Sequence, residues 1–226
     1  MNKKRLVALI MVVALALTTL VGGTLAYFTD TDDATNTFVM GNVEIVLDEA
    51  KVEYNPEDYT WTADEEAERV DTNTYGGEEG LLYPGAVLPK DPTVHNTGLN
   101  DAYIRVKVTM NPYPLGLIMN ENSGTSRENF EALVDIDEDN WTYESEVMEN
   151  VLDPETATWT VTYRYNEIVK AENDTTPLFT TVTIPTDLEN MYEFTNVPFD
   201  MDILAEAIQA ASFADANEAW TAFDAE

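Results

Sequence analysis

In a β-strand successive side chains point to opposite faces, and Tyr103 to Met110 keeps that period without a break. Ile104, Val106, Val108 and Met110 fall on one face, and Arg105, Lys107 and Thr109 on the other. A helix would scatter the same apolar residues around its axis, so the segment buries them together only as a strand. Thr158 to Tyr165 repeats the pattern, with Trp159, Val161, Tyr163 and Tyr165 opposite Thr158, Thr160, Thr162 and Arg164. Val43, Ile45 and Leu47 alternate with Glu44, Val46 and Asp48, and Leu178 to Ile184 reads as a further strand stopped by Pro185. Short alternating strands with threonine-rich outer faces, and no repeating βαβ unit, predict an all-β fold, an antiparallel β-sandwich.

The remaining segments are less regular. Ser126 to Val134 has the pattern of one short helix with Ser126 as its N-cap. Met201 to Ala211 fits a strand (Met201, Ile203, Ala205, Ala207) about as well as a helix (Leu204, Ala207, Ile208, Ala211). Ala216, Ala219, Trp220 and Phe223 lie at helical spacing, so one or two short helices are expected. Residues 50–80 carry acidic runs such as Asp64-Glu65-Glu66 and read as a surface excursion or a solvated short helix. Pro89 and Pro92 push a strand through Val87 to Val94 to a sheet edge. Residues 41–226 thus form one sandwich domain.

The first residues bear on compartment. Lys3, Lys4 and Arg5 precede an uncharged run from Leu6 to Val21, which Gly22 and Gly23 break; Thr24 and Ala26 then place small residues at positions −3 and −1 of a cleavage site. This is the build of a secretory signal peptide over residues 1–26, and the run is short of the ~20 apolar residues a membrane span needs. Cleavage is expected between Ala26 and Tyr27, leaving no stable membrane span. The peptide holds three of the 11 basic residues and none of the 43 acids, so the remainder carries 8 bases and a formal charge of −35. Such a chain repels nucleic-acid phosphates and anionic lipid, and its self-association strengthens when ions screen it. It has no cysteine, which removes thiolate metal sites and cysteine nucleophiles. The polar stretch Thr29 to Asn36 has little to bury, so residues 27–40 are expected to be mobile in an isolated monomer.

Gly23-Thr24-Leu25-Ala26-Tyr27-Phe28-Thr29-Asp30, followed by Ala34-Thr35-Asn36-Thr37-Phe38 and Gly41-Asn42-Val43-Glu44-Ile45, resembles the N-terminus of the TasA/camelysin (CalY) family, exported by Firmicutes and cleaved by the signal peptidase SipW. The turns Tyr83-Pro84-Gly85 and His95-Asn96-Thr97-Gly98, the block from Thr176 to Pro185, and the run Ala207 to Ala210 with Phe213, Ala219 and Trp220 are similar to that family too. The resemblance implies a jelly-roll-like sandwich and a secreted structural subunit of biofilm-matrix or cell-surface fibres. It further implies other copies of itself or related fibre subunits as partners, and a SipW-type peptidase during export. In that family the mature N-terminal segment completes a neighbour's sheet. Here the candidate donor strand is residues 27–40, with Tyr27, Phe28, Phe38 and Val39 as anchors. An extended peptide at a sheet edge supplies main-chain hydrogen bonds, and a head-to-tail contact that does not close grows a filament. Pairing of the segment within its own sandwich remains the alternative.

The camelysin branch has been classed as metalloendopeptidases, a second function to weigh beside a monomeric surface binding module. A zinc protease commonly sets two imidazoles and a glutamate on one helical face. This chain has one histidine, His95, placed by the sequence in a turn, so no enzyme activity is expected and no catalytic residue is assigned. A serine triad would need the same histidine and an elbow motif that is missing. Carboxylate pairs carry no weight among 43 acids. One acidic run has ligand spacing: Asp135, Asp137 and Asp139, with Glu146 at the twelfth position, partly match a calcium loop, and calcium is the one cofactor considered. Asn140 stands where the turn glycine belongs, and Trp141 and Tyr143 read equally as the start of a strand, so a solvated acidic turn competes with the metal site. Tyr54, Tyr59, Trp61 and Tyr75 are candidates for a glycan surface or, as aromatics usually are, for core cover.

Overall fold

The computed structural model describes residues 29–31, 42–76, 79–80, 82–112, 125–186 and 200–225. The signal peptide, the cleavage pair Ala26 and Tyr27, and the candidate anchors Phe28, Phe38 and Val39 lie outside the described residues. The elements in chain order are β1 (Thr29–Thr31), β2 (Ile45–Asp48), β3 (Lys51–Asn55), β4 (Thr60–Asp64), β5 (Val87–Pro89), β6 (Thr93–Asn96), β7 (Ala102–Met110), helix α1 (Ser126–Leu133), β8 (Trp141–Glu149), β9 (Thr158–Tyr165), β10 (Thr181–Thr183), β11 (Met201–Gln209), a 3₁₀ turn (Ala210–Ser212) and helix α2 (Ala216–Phe223).

The two segments with the cleanest alternation sit side by side. β7 lies in the middle of a five-stranded antiparallel sheet of order β1-β11-β7-β9-β8. Its predicted apolar face is the core face, where Ile104, Val106, Val108 and Met110 are buried with Trp159, Val161 and Tyr163 of β9. The ambiguous segment 201–211 is a strand over most of its length. β11 puts Ile203, Ala205 and Ala207 opposite Val108, Val106 and Ile104, so the period-two reading satisfies the core and the helical one does not. The second layer is built from antiparallel pairs, β2 with β6 and β5 with β10; single bridges add Asp174 beside His95 of β6 and Val134 beside Val182 of β10. Prolines explain why these strands stay short: Pro89 ends β5, Pro92 separates it from β6, and Pro185 follows β10. The architecture is an all-β sandwich with two short helices among the described residues. Phe130 of α1 fills its centre, with ring centroids 5.8 Å from Trp159 and 6.1 Å from Phe179.

Three local expectations are corrected. The acidic segment 50–80 contains an antiparallel hairpin, β3 with β4, in place of a helix or bare excursion. Trp61 is buried between Tyr54 and Tyr75, at 4.9 and 5.1 Å, so these aromatics cover core, and the neighbouring carboxylates only line the solvent side. The N-cap of α1 is Thr125, not Ser126. Its hydroxyl accepts from the Glu128 backbone N–H, and the Glu128 carboxylate accepts from the Thr125 N–H at 2.8 Å, a reciprocal cap that fixes the start one residue earlier. The segment 178–184 narrows to β10. The Tyr83-Pro84-Gly85 turn is present, closed by Ala86 N–H donating to the Tyr83 carbonyl at 3.0 Å, with Gly85 at φ 83°.

Candidate functional site

The sheet edge formed by β11 is where the N-terminal segment meets the domain. Thr29, Asp30 and Thr31 pair antiparallel with Ile208, Ala207 and Glu206. Among the described residues this strand has three, while β11 pairs with β7 over nine. This pairing sits at the sheet's border, the position from which a strand exchanges most easily.

On the outer face of the same stretch of β11 lies a buried ion-pair cluster. Sequence alternation puts Arg105 on the solvent side of β7, yet its side chain is only 5% exposed because α2 covers it. Arg105 Nε donates to Glu206 Oε2 at 2.5 Å, and Nη1 and Nη2 donate to the two Asp224 oxygens at 3.1 and 2.5 Å. Its guanidinium lies 4.4 Å from the Trp220 ring centre and 5.0 Å from that of Phe223. Lys107 Nζ donates to the other Glu206 oxygen at 2.6 Å. The Arg105 bonds hold the Asp224 carboxyl below the usual carboxylate range, against a smaller opposing effect of burial. Ile208, Ala219 and Trp220 form a satellite core beside this cluster.

A second charged cluster ties the other layer together. His95 is a strand residue of β6, not a turn residue. Its Nε2 faces Asp48 Oδ1 at 2.8 Å and its Nδ1 faces Asp174 Oδ1 at 2.7 Å. Burial opposes charge on the ring, but the two carboxylates outweigh it and the His95 pKa stands above its ordinary value. Asp48 also accepts from Arg69 Nε at 2.5 Å, and Arg69 Nη1 donates to Asp91 at 2.9 Å. Nearby, the buried Glu49 accepts from Lys90 Nζ at 2.8 Å and from the Asn73 N–H at 2.6 Å. Nothing in the sequence pairs these residues, because the partners lie 21 to 79 positions apart.

The candidate calcium ligands are not brought together. Asp135 accepts from the N–H groups of Thr180 and Thr181 at 2.9 and 2.7 Å and from the Thr180 hydroxyl. These bonds outweigh its desolvation and lower its pKa. Asp137 accepts from the Thr176 hydroxyl at 2.6 Å and from Asn140 at 2.9 Å. Asp139 is exposed in the turn, and Glu146 sits in β8, accepting from the Trp159 indole N–H at 2.8 Å. Among the described residues no three His, Cys, Asp or Glu side chains are grouped so as to hold a metal ion.

The fold and these clusters define an all-β sandwich whose short N-terminal strand closes one sheet edge. Residues 1–55 match the family described as "Camelysin metallo-endopeptidase", in agreement with the resemblance read from Gly23 to Ile45. The match runs through β3 and stops short of the five-stranded sheet's longer strands. No curated protein and no solved structure matches the chain.

Proposed function

We propose that this protein is an exported structural subunit of extracellular matrix or cell-surface fibres, and that copies join by passing the segment around β1 from one sandwich to the next. The observation that carries the reading is the three-residue pairing of Thr29–Thr31 with the edge of β11. A pairing at the sheet's border is cheaper to give up than a central one, and the same bonds are available on any other copy, so exchange loses nothing in main-chain pairing. The camelysin match supports a secreted or surface location, and no helix of the described residues is long and apolar enough to cross a membrane. The formal charge of −35 gives assembly a dependence on ionic strength. Purified chain starting at Tyr27 is expected to form filaments by electron microscopy and light scattering, and chain lacking residues 27–40 is not. Monomer in both, across salt, pH and calcium, overturns the reading.

The family's printed description supports a second reading, a secreted metalloendopeptidase. The donor set present does not fit a zinc centre: the one histidine has both ring nitrogens committed to carboxylates on opposite sides of the ring, and the chain has no cysteine. Zinc-dependent cleavage of casein by pure protein, lost with chelator, is the result that favours it.

A further inference from the structure

β11 is gripped from two directions at the same residues. Along its edge Glu206, Ala207 and Ile208 pair with β1. From its outer face Glu206 is bonded to Arg105 and Lys107, and Ile208 is packed under Ala219 and Trp220. α2 supplies the cover over Ile208 and a second carboxylate for Arg105, while the Glu206 bonds to Arg105 and Lys107 are made within the sheet. An eight-residue helix does not stand alone in water, so α2 is helical only while docked. It docks through Trp220 and Phe223 against Arg105, Asp224 bonded to the same guanidinium, Ala219 and Trp220 packed on Ile208, and Asn217 accepting from Arg164 Nη1 at 2.7 Å. Helix formation, closure of the Arg105 clasp and cover over Ile208 are therefore one event. When α2 leaves, the buried Arg105–Glu206 pair is opened to water and Ile208 loses its cover. Glu206 and Ile208, both buried in the docked state, then sit at a solvated edge, where local opening costs less.

We propose that α2 is a clamp on the strand-accepting edge, so that docking of the C-terminal helix decides whether residues 206–208 can take an N-terminal strand. The consequence for fibre growth rests on the assembly reading above; the coupling itself is a property of a single copy. It is measured by hydrogen exchange on three chains starting at Tyr27: unmodified, Asp224→Asn, and one ending at Asp215, which lacks α2. Amides of residues 204–209 are expected to exchange roughly tenfold faster or more in the two altered chains, while those of Val106 and Val161 in the sheet centre keep their protection. Asp224→Glu is expected to restore most of the edge protection. If the shortened chain fails to fold, Asp224→Asn in the full chain carries the measurement. Edge amides that exchange at the unmodified rate once the clasp is broken overturn the clamp. Filament growth, followed on the same chains, separates the two ideas. An unmodified chain that never assembles, with edge protection still tracking α2, removes the assembly reading and leaves the clamp. Equal filaments and equal edge protection with and without α2 do the reverse.

Discussion

His95→Gln tests the second charged cluster, and the chain's single histidine makes the experiment clean. The charged ring has an N–H for each of Asp48 and Asp174; the neutral ring keeps one and turns a lone pair toward the other carboxylate. Protonation therefore favours the folded state. With the folded pKa raised above 6.5, the stabilisation is complete below about pH 6.5 and is lost as pH rises through the folded value. The magnitude follows from the two arms. Asp174 is 58% exposed, and an exposed pair contributes about 0.2–1 kcal/mol. Asp48 is 16% exposed and its bond is charge-assisted, about 1.5–3 kcal/mol before allowing for the share already held by Arg69. Together these give ~2 kcal/mol at pH 6, or ~4–8 °C in Tm for a domain of this size. Thermal melts of both proteins from pH 5.5 to 9 read the difference, and NMR of the lone imidazole reads the folded pKa. The gap is expected to narrow as the resonance titrates. A resonance titrating at or below 6.5, or a gap that stays constant with pH, refutes the reasoning.

Lys90→Met leaves Glu49, whose side chain is 3% exposed, as a buried carboxylate without its cation, and is expected to cost about 3–5 kcal/mol in urea unfolding. An unchanged midpoint would show that the Asn73 N–H alone satisfies Glu49. Phe130→Ala empties the centre of the sandwich between Trp159 and Phe179 and is expected to cost about 3–5 kcal/mol on the same assay, with a loss under 1 contradicting the packing. Asp135→Asn weakens the tie to Thr180 and Thr181 and is expected to lower Tm by the same amount in calcium and in chelator. Since the folded pKa of Asp135 is depressed, its contribution is present above the unfolded carboxylate range and lost as pH falls through the folded value. A Tm deficit that appears only with calcium would point back to a metal loop.

β7 and β9 were legible because their alternation is local and the apolar face of each is the core face; the outer face departs from the pattern at Arg105 and Thr162, which are buried too. The hairpin at 51–64 was not, because its acidic residues dominate the composition while the signal that matters, Tyr54 packed on Trp61, acts across strands. Asp135 and Asp137 looked like ligands at alternate positions; their partners, Thr180 and Thr176, lie 45 and 39 residues away, a distance no spacing rule reaches. Arg105 lies on the outer face that the alternation gives it, yet it is buried there. Its burial is created by a helix more than a hundred residues downstream, and the one hint was the Trp220, Phe223 and Asp224 grouping near the C-terminus. The β1–β11 pairing within one chain corresponds to the alternative weighed beside strand exchange, and no residue pattern named β11 as the partner.

The central claim is that the strand pairing at β11 is made between copies when the protein assembles. The chain has no cysteine, and Asp30 lies opposite Ala207 in the register, so one cysteine can be placed on each side of that pair in separate chains. An equimolar mixture of Asp30→Cys and Ala207→Cys chains, assembled and then oxidised, is predicted to yield disulfide-linked dimers of one chain of each kind. Assemblies from which only uncrosslinked chains are recovered, while a single chain carrying both cysteines closes its own disulfide, would show that β1 stays at home and contradict the account.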